Sequence, residues 1–292
     1  MIINKIRQLI SKSSNEKKPA NPALFIIKET VVLCQKILFA THRQDRVLSA
    51  MLREEIALCP YYQAELAWLK DQIKAGDSVL DAGGNIGSVS IALSLAQPDA
   101  NIYAFEPDPM NFSLFQMNLA LNGCRNVSAF NLALGAKEGF IQFFRSPDNF
   151  GDHRTAKPKG VDLREAEFKQ LTTPIQKVCA NSFLKNCFQG VEIDLAKIDT
   201  QGADFEILES ILPLLKQKAK IAIEFSPYHI DSNGTSREQV ERLLGEFSSL
   251  IKIRPSAQSI YELEETNQNA LMNFYDEQKD RYKTHFDLIL IK

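Results

Sequence analysis

Apolar residues between Ala23 and about Lys74 recur at mixed three- and four-residue spacing with few glycines, which predicts helix through the stretch. Tyr61-Tyr62-Gln63-Ala64-Glu65-Leu66 opens its last helix, which runs to Ile73 and stops at Gly76. After Gly76 the rhythm changes. Short apolar runs at Ser78–Leu80, Asn101–Phe105, Val127–Leu132, Leu195–Ile198, Ile221–Phe225, Ile251–Pro255 and Phe286–Ile291 alternate with amphipathic segments. Asp108 is placed to cap a helix that begins at Pro109 and closes at Gly123. Thr235 and Glu238 form a capping box ahead of Val240, Leu243, Leu244 and Phe247, and Phe205, Leu208, Ile211 and Leu215 trace another helical stripe. Such alternation predicts an α/β fold with a doubly wound, mostly parallel sheet. Arg145–Lys177 interrupts it with mixed charge, Gly and Pro and no clear strand, which predicts a functional loop or lid.

Ser11–Pro22 is polar, ends in two prolines and reads as a linker. Before it, Ile2, Ile3, Ile6, Leu9 and Ile10 lie at helical spacing, suiting a helix packed on the body or a membrane-surface anchor. The expected division is therefore an N-terminal helical extension over 1–60, with 1–22 flexible, and one large domain over 61–292. The 292 residues permit it, 45% of them being hydrophobic and 24% charged. A net charge of -2 excludes an overall basic footprint for nucleic acid. The apolar runs Ala23–Ile27 and Val31–Cys34 are split by Lys28 and Glu29, far short of the ~20 residues of a membrane span. The N-terminus lacks the apolar core of a secretory signal. Five scattered cysteines without a C-x-x-C pair suit a reducing, cytoplasmic setting, and the four histidines form no sequence-local metal pattern.

Chemistry concentrates in Val79-Leu80-Asp81-Ala82-Gly83-Gly84-Asn85-Ile86-Gly87, an apolar strand running into a small-residue turn and then an apolar helix. In an open α/β sheet this first strand end binds a nucleotide-like ligand, and glycine lets it approach the main chain. The dinucleotide pattern G-x-G-x-x-G is not met. The next strand ends at Glu106-Pro107-Asp108, where a carboxylate can accept from both hydroxyls of a ribose.

D-x-G-x-x-x-G resembles the S-adenosylmethionine turn of class I methyltransferases. The blocks VLDAGGNIG, YAFEPDPMNFSLFQMNLALNG, NLALG and LAKIDTQGADFEIL, followed by IAIEFSP and FDLILIK, resemble the FkbM-type methyltransferase family over Tyr61 to Lys292. The resemblance implies a Rossmann-like sheet of seven strands with the last antiparallel, and methyl transfer from S-adenosylmethionine to a hydroxyl of a sugar, glycolipid or secondary metabolite. It implies that Asp81, Gly83, Asn85 and Gly87 line the methionine side, that Glu106 holds the ribose, and that Asn131 and Leu132 lie beside the adenine. Two positions depart from the family: Gln201 and Asn181 replace carboxylates, and neither amide takes a proton or holds a metal well.

Asp199, ending the fourth strand beside Gly202, is the first candidate for a base or orienting group, and Glu224, ending the next strand, is the second. His153 in the insertion is a third, titrating near neutral pH, and His229 raises the same question. Each also suits a structural role. Two rival functions stay open: an NAD-dependent oxidoreductase, and a catalytically silent S-adenosylmethionine-binding or partner-docking protein.

Overall fold

The computed structural model describes residues 24–54, 59–156, 172–282 and 284–292; the Ile2–Ile10 stripe and the Ser11–Pro22 linker lie outside them. Thirteen strands form among the described residues. They are β1 (Phe25–Val32), β2 (Gln35–His42), β3 (Ser78–Ala82), β4 (Asn101–Phe105), β5 (Val127–Phe130), β6 (Ala133–Gly135), β7 (Gly139–Phe144), β8 (Thr172–Cys179), β9 (Ile193–Ile198), β10 (Leu215–Phe225), β11 (Ser249–Pro255), β12 (Tyr261–Thr266) and β13 (Phe286–Ile291). The main sheet has eight strands in the order β12-β11-β13-β10-β9-β3-β4-β5. β10, β9, β3, β4 and β5 run parallel, while β13 pairs antiparallel with both β10 and β11. The expected inner sheet is thus present. The eighth strand, β12, is polar and mostly exposed along the edge, so no apolar run announced it.

Alternation along the strands builds a core on each face. Leu80, Ala196, Ile221, Ile223, Leu288 and Leu290 pack on one side with helices Asp204–Ile211, Arg237–Leu244 and Gln268–Gln278. Val79, Leu195, Ala222 and Ile289 face the other, with helices Pro60–Gln72, Ser88–Ala96 and Pro109–Asn122. A period of two on both faces is what a sheet buried on both sides requires. Local signals work as their chemistry dictates at Asp108, whose side chain accepts from the N–H groups of Met110 and Asn111, and at Gly123, which closes the helix at φ 69°. At the later helix the cap is Ser236, which accepts from Gln239, and not Thr235.

Two expectations need correction. Phe25–His42 is an antiparallel hairpin, not helix. Its β-branched content outweighs a loose helical spacing, and its turn falls on Leu33 and Cys34, both at positive φ (45° and 66°), where neither residue carries a turn signal. Helix returns at Leu48–Glu54 and Pro60–Gln72. The interrupting segment does hold a strand, since β8 starts at Thr172 and joins β6 and β7 in a separate three-stranded sheet. Pro174 had argued against a strand there. It sits beyond the end of β6, where β8 has one neighbour and needs no second donor.

Two glycines at nearly the same φ offer a test. Gly76 (φ 81°) has open space around an added Cβ, whereas at Gly83 (φ 87°) the Cβ would lie 1.9 Å from the Asp199 carbonyl oxygen. Gly76→Ala should cost about 1–2 kcal/mol, the left-handed penalty alone. Gly83→Ala should cost several times more or fail to fold. Equal losses in denaturant titrations would refute the packing argument.

Candidate active site

The alternation that buries Val79, Leu195, Ala222 and Ile289 places Asp81, Lys197, Glu224 and Asp287 on the same face, each two residues nearer the carboxyl edge of the parallel strands. Register confirms the juxtaposition: Asp81 lies opposite Lys197, and Glu224 opposite Asp287. Lys197 is 4% exposed. Its Nζ donates to the Gly83 carbonyl at 3.1 Å and lies 3.6 Å from Asp199 Oδ2 and 3.9 Å from Asp81 Oδ1. Those carboxylates hold its pKa above the ordinary lysine value despite burial. Ser90 donates to the other Asp81 oxygen at 2.5 Å. Helix Pro60–Gln72 covers this face and adds buried Glu65 and Tyr62, whose hydroxyl donates to Ser88.

A cavity of about 500 Å³ opens at this edge. Gly83, Gly84, Asn85, Glu106, Pro107, Leu132, Leu134, Asp199 and Glu224 line it, facing Leu48, Met51 and Tyr62 from the N-terminal segment. Glu106 is 5% exposed; one carboxyl oxygen accepts from the Asn85 N–H at 2.8 Å and the other from the Asp108 N–H at 2.8 Å. Burial nevertheless pushes its carboxyl up to about 8. Asp81 and Gly87 do not line the cavity, nor does Asn131. Asp81 lies beneath the turn as the partner of Ser90 and Lys197. Gly87 makes room for Phe115, whose ring a Cβ there would meet at 2.2 Å. Asn131 donates to the carbonyls of Glu106 and Pro107, fastening that corner from outside. The glycines thus answer to protein packing at 83, 84 and 87, against Asp199 and Phe115.

Asp199 through Ala203 form a turn in which Gln201 and Gly202 take positive φ (56° and 120°). Buried Asp204 ties it down by accepting from the N–H groups of Thr200 and Gly202, both at 2.8 Å. Gln201 Nε2 donates to Asp199 Oδ1 at 2.9 Å. An ionised glutamate here has no hydrogen to donate, which gives the amide at 201 a physical reason. Asn181 lies in helix Ala180–Cys187, apart from the cavity, where its N–H donates to Ser210.

Residues 145–155 roof the cavity. The loop is closed by paired backbone hydrogen bonds between Phe144 and Arg154 and anchored by Asn111 donating to the Phe150 carbonyl at 2.9 Å. Arg154 is fully buried, makes two bonds to Asp152 and one to the Tyr282 hydroxyl. His153 lines the cavity, but its Nδ1 accepts from the Ser146 N–H at 2.9 Å and burial lowers its pKa to about 4. Its Nε2 is buried without a hydrogen-bond partner, 4.0 Å from Asp108 Oδ2. Glu224 is buried, with His229 Nδ1 at 3.5 Å and His285 Nε2 at 3.9 Å. Desolvation and the nearby Asp199 raise it to about 8.

The structure brings Gly83, Asn85, Glu106, Leu132, Asp199, Glu224 and His153 to one cavity, together with Lys197, Tyr62 and Tyr282, which sequence reasoning missed. Lys197 did carry a signal: a lysine inside the apolar strand Leu195-Ala196-Lys197-Ile198 is a buried charge in need of partners. No group of metal-ligating side chains forms among the described residues. Nor is any helix among them long and apolar enough to cross a membrane.

Comparison with known proteins adds family context. The family described as the Methyltransferase FkbM domain matches residues 81–254, more than half of the chain. Methyltransferase 1 of Beauveria bassiana (strain ARSEF 2860) is 29% identical over 143 residues, covering 46% of this chain and 57% of that protein. Methyltransferase sdnD of Sordaria araneosa is 27% identical over 154 residues, covering 46% of this chain and 60% of that one. The matches thus span less than two thirds of either relative's length. Among solved structures, precorrin-6y C5,15-methyltransferase from Geobacter metallireducens GS-15 covers 87% of this chain and 94% of its own at 13% identity, with a TM-score of 0.45. That similarity is too low to carry an argument.

The carboxyls at the site predict a pH response. Glu106, Glu224 and Asp287 are raised to about 8 and Asp204 to about 7, all chiefly by desolvation. Their unfolded values are near ~4. The folded chain therefore holds extra protons between ~4 and 8, and stability falls as pH rises through that window. Buried His42, His153 and His229 are lowered, and oppose this trend only below their ordinary value of ~6.5. Melting temperature should thus fall steadily from pH 6.5 to 8. A flat or rising profile would contradict the burial of these carboxyls.

Proposed function

The chain belongs to the Methyltransferase FkbM domain family, and from that premise we propose that it transfers methyl from S-adenosylmethionine to a hydroxyl of a small-molecule acceptor. A sugar, a glycolipid or a secondary metabolite is the acceptor class. The observation that carries this reading is Glu106. It is a buried carboxylate fixed by two backbone N–H groups at the end of the second parallel strand, opening onto the cavity that Asp199 and Glu224 share. Each oxygen keeps a lone pair for a ribose hydroxyl. Pro107, Leu132 and Leu134 supply apolar walls for a flat base beside it. Asp152 and Asp199 add acceptor oxygens to the lining for the donor groups of the ligand.

When bound, S-adenosylmethionine supplies a methyl group on a positively charged sulfur, already activated for in-line displacement. The chain's own contribution is placement. Gly83 and Asn85 flank the methionine side through their backbone, with Asp81 and Lys197 holding that turn from beneath. Asp199, fixed by Gln201 and Lys197, orients the reacting pair. Holding two reactants in line is worth ~7–11 kcal/mol, against about 3–5 for a general base, so most of the rate follows from this rigid edge. Leu48, Met51, Tyr62 and the 145–155 roof form the acceptor side.

Two measurements test the reading. Calorimetry should detect S-adenosylmethionine binding, weakened by ~1.5–3 kcal/mol in Glu106→Ala, the range for charge-assisted hydrogen bonds. Unchanged affinity, or preference for NAD, would sink it. Label should pass from methyl-tritiated cofactor to members of a panel of monosaccharides, polyols and phenols, with turnover unaltered by EDTA. Metal-dependent transfer would place the chemistry elsewhere.

A further inference from the structure

His229 stands in Pro227–Ser232, the short helix that follows β10. Its ring is 5% exposed and lines the cavity, yet Nε2 is buried without a hydrogen-bond partner. The other ring nitrogen, Nδ1, lies 3.5 Å from Glu224 Oε2. The ring is fixed on its remaining sides. Tyr228 and Tyr282 pack edge-on against it, with centroids 5.6 and 5.8 Å away. The Gly202 turn touches its backbone so closely that a Cβ at 202 would lie 2.6 Å from the His229 carbonyl oxygen. A buried imidazole with one nitrogen near a carboxylate and the other unpartnered, on a residue that lines the cavity, has the geometry of an oriented proton acceptor.

We propose that His229 Nε2 takes the hydroxyl proton of the acceptor, with Glu224 as the positioning residue that holds the ring in the required tautomer; the assignment rests on the methyl-transfer reading above. The acceptor oxygen forms its bond to the methyl carbon as the carbon–sulfur bond breaks, the electron pair staying on sulfur, which becomes neutral. The hydroxyl proton passes to Nε2. Glu224, accepting from Nδ1–H, balances the imidazolium that results. His285, half exposed and 3.9 Å from the second Glu224 oxygen, gives this carboxylate a contact with the cavity mouth. Asp199 accepts from Gln201 at one oxygen and lies 3.6 Å from the Lys197 ammonium at the other, contacts that suit an orienting role.

Protonation follows from the surroundings. Burial and the nearby Arg154 lower His229 to about 4, so the ring is neutral and ready to accept. Glu224 faces Asp199 and Lys197 from β9, Asp287 across the strand pair, Asp204 from the following helix, Asp152 from the roof and His285. While Glu224 keeps its proton it donates to Nδ1, and the ring hydrogen sits on Nε2, the wrong nitrogen. Once it ionises, near 8, Nδ1–H points to the carboxylate and Nε2 is free.

The test begins with nitrogen-15 histidine NMR of the full chain from pH 6 to 10. His229 should convert to the Nδ1–H tautomer as pH passes about 8, and Glu224→Leu should abolish that preference. An Nε2–H tautomer at every pH would overturn the proposal without any acceptor in hand. With the labelled cofactor and the hydroxyl panel, His229→Asn should lower turnover ~10²–10⁴-fold while S-adenosylmethionine affinity stays within about twofold. The rise in turnover with pH should vanish in Glu224→Gln. Normal turnover in His229→Asn, with loss in Asp199→Asn, would move the proton to Asp199 and overturn the assignment alone. Absence of cofactor binding by the unaltered chain would instead strike the methyl-transfer reading beneath it.

Discussion

Lys197 carries one ammonium into a buried position, and an ion there costs several kcal/mol unless its partners compensate. Its partners come from separate parts of the chain: Asp81 from the first parallel strand, the Gly83 carbonyl from the turn, and Asp199 from the end of its own strand. Any shift of β3 against β9 would separate these charges. The converse holds as well, because among the described residues Asp81 pairs with no cation but this lysine. Losing one member of such a group costs about 3–5 kcal/mol, a large share of a domain's net stability. The glycine-rich turn is therefore set by a buried charge network before any ligand arrives.

That network also divides labour at the sheet edge. Asp81 and Lys197 spend their charges on the scaffold, and Asp204 spends its own on the backbone of the 199–203 turn. Glu106 and Glu224 keep spare acceptor capacity and open onto the cavity. Desolvation raises both carboxyls. The parallel sheet supplies one wall. The opposite wall is assembled from the segment after the hairpin, the 145–155 loop and Tyr282, all outside the regular strand–helix alternation.

What was legible in the sequence follows from how local the cause is. Strand–helix alternation, the Asp108 cap, the Gly123 stop and the charged residues just past each apolar run depend on neighbours in sequence, and they were read correctly. The hairpin was not, because its Leu33-Cys34 turn tolerates positive φ only through the pairing of the strands around it. The reasons for Gly83 and Gly87 were equally hidden: each is required by an atom more than 25 residues away, the Asp199 carbonyl or the Phe115 ring. Gln201 looked like a loss until Asp199 was seen to accept from it. At His153 the backbone N–H of Ser146 holds Nδ1, a contact that residue type alone did not announce.

The hairpin's outer edge has a consequence of its own. Asn118 bonds both the N–H and the carbonyl of Ala40, and Asn122 does the same for Leu38. Four residues along a helix rise ~6 Å and two along a strand ~6.8 Å, so two asparagines one turn apart match two successive outward-facing peptide groups of β2. The helix thus imitates a neighbouring strand with side-chain amides. An open strand edge is a template on which another chain can add by main-chain pairing. Here those peptide groups are already satisfied, so this edge is closed to intermolecular sheet growth without a third strand having been built.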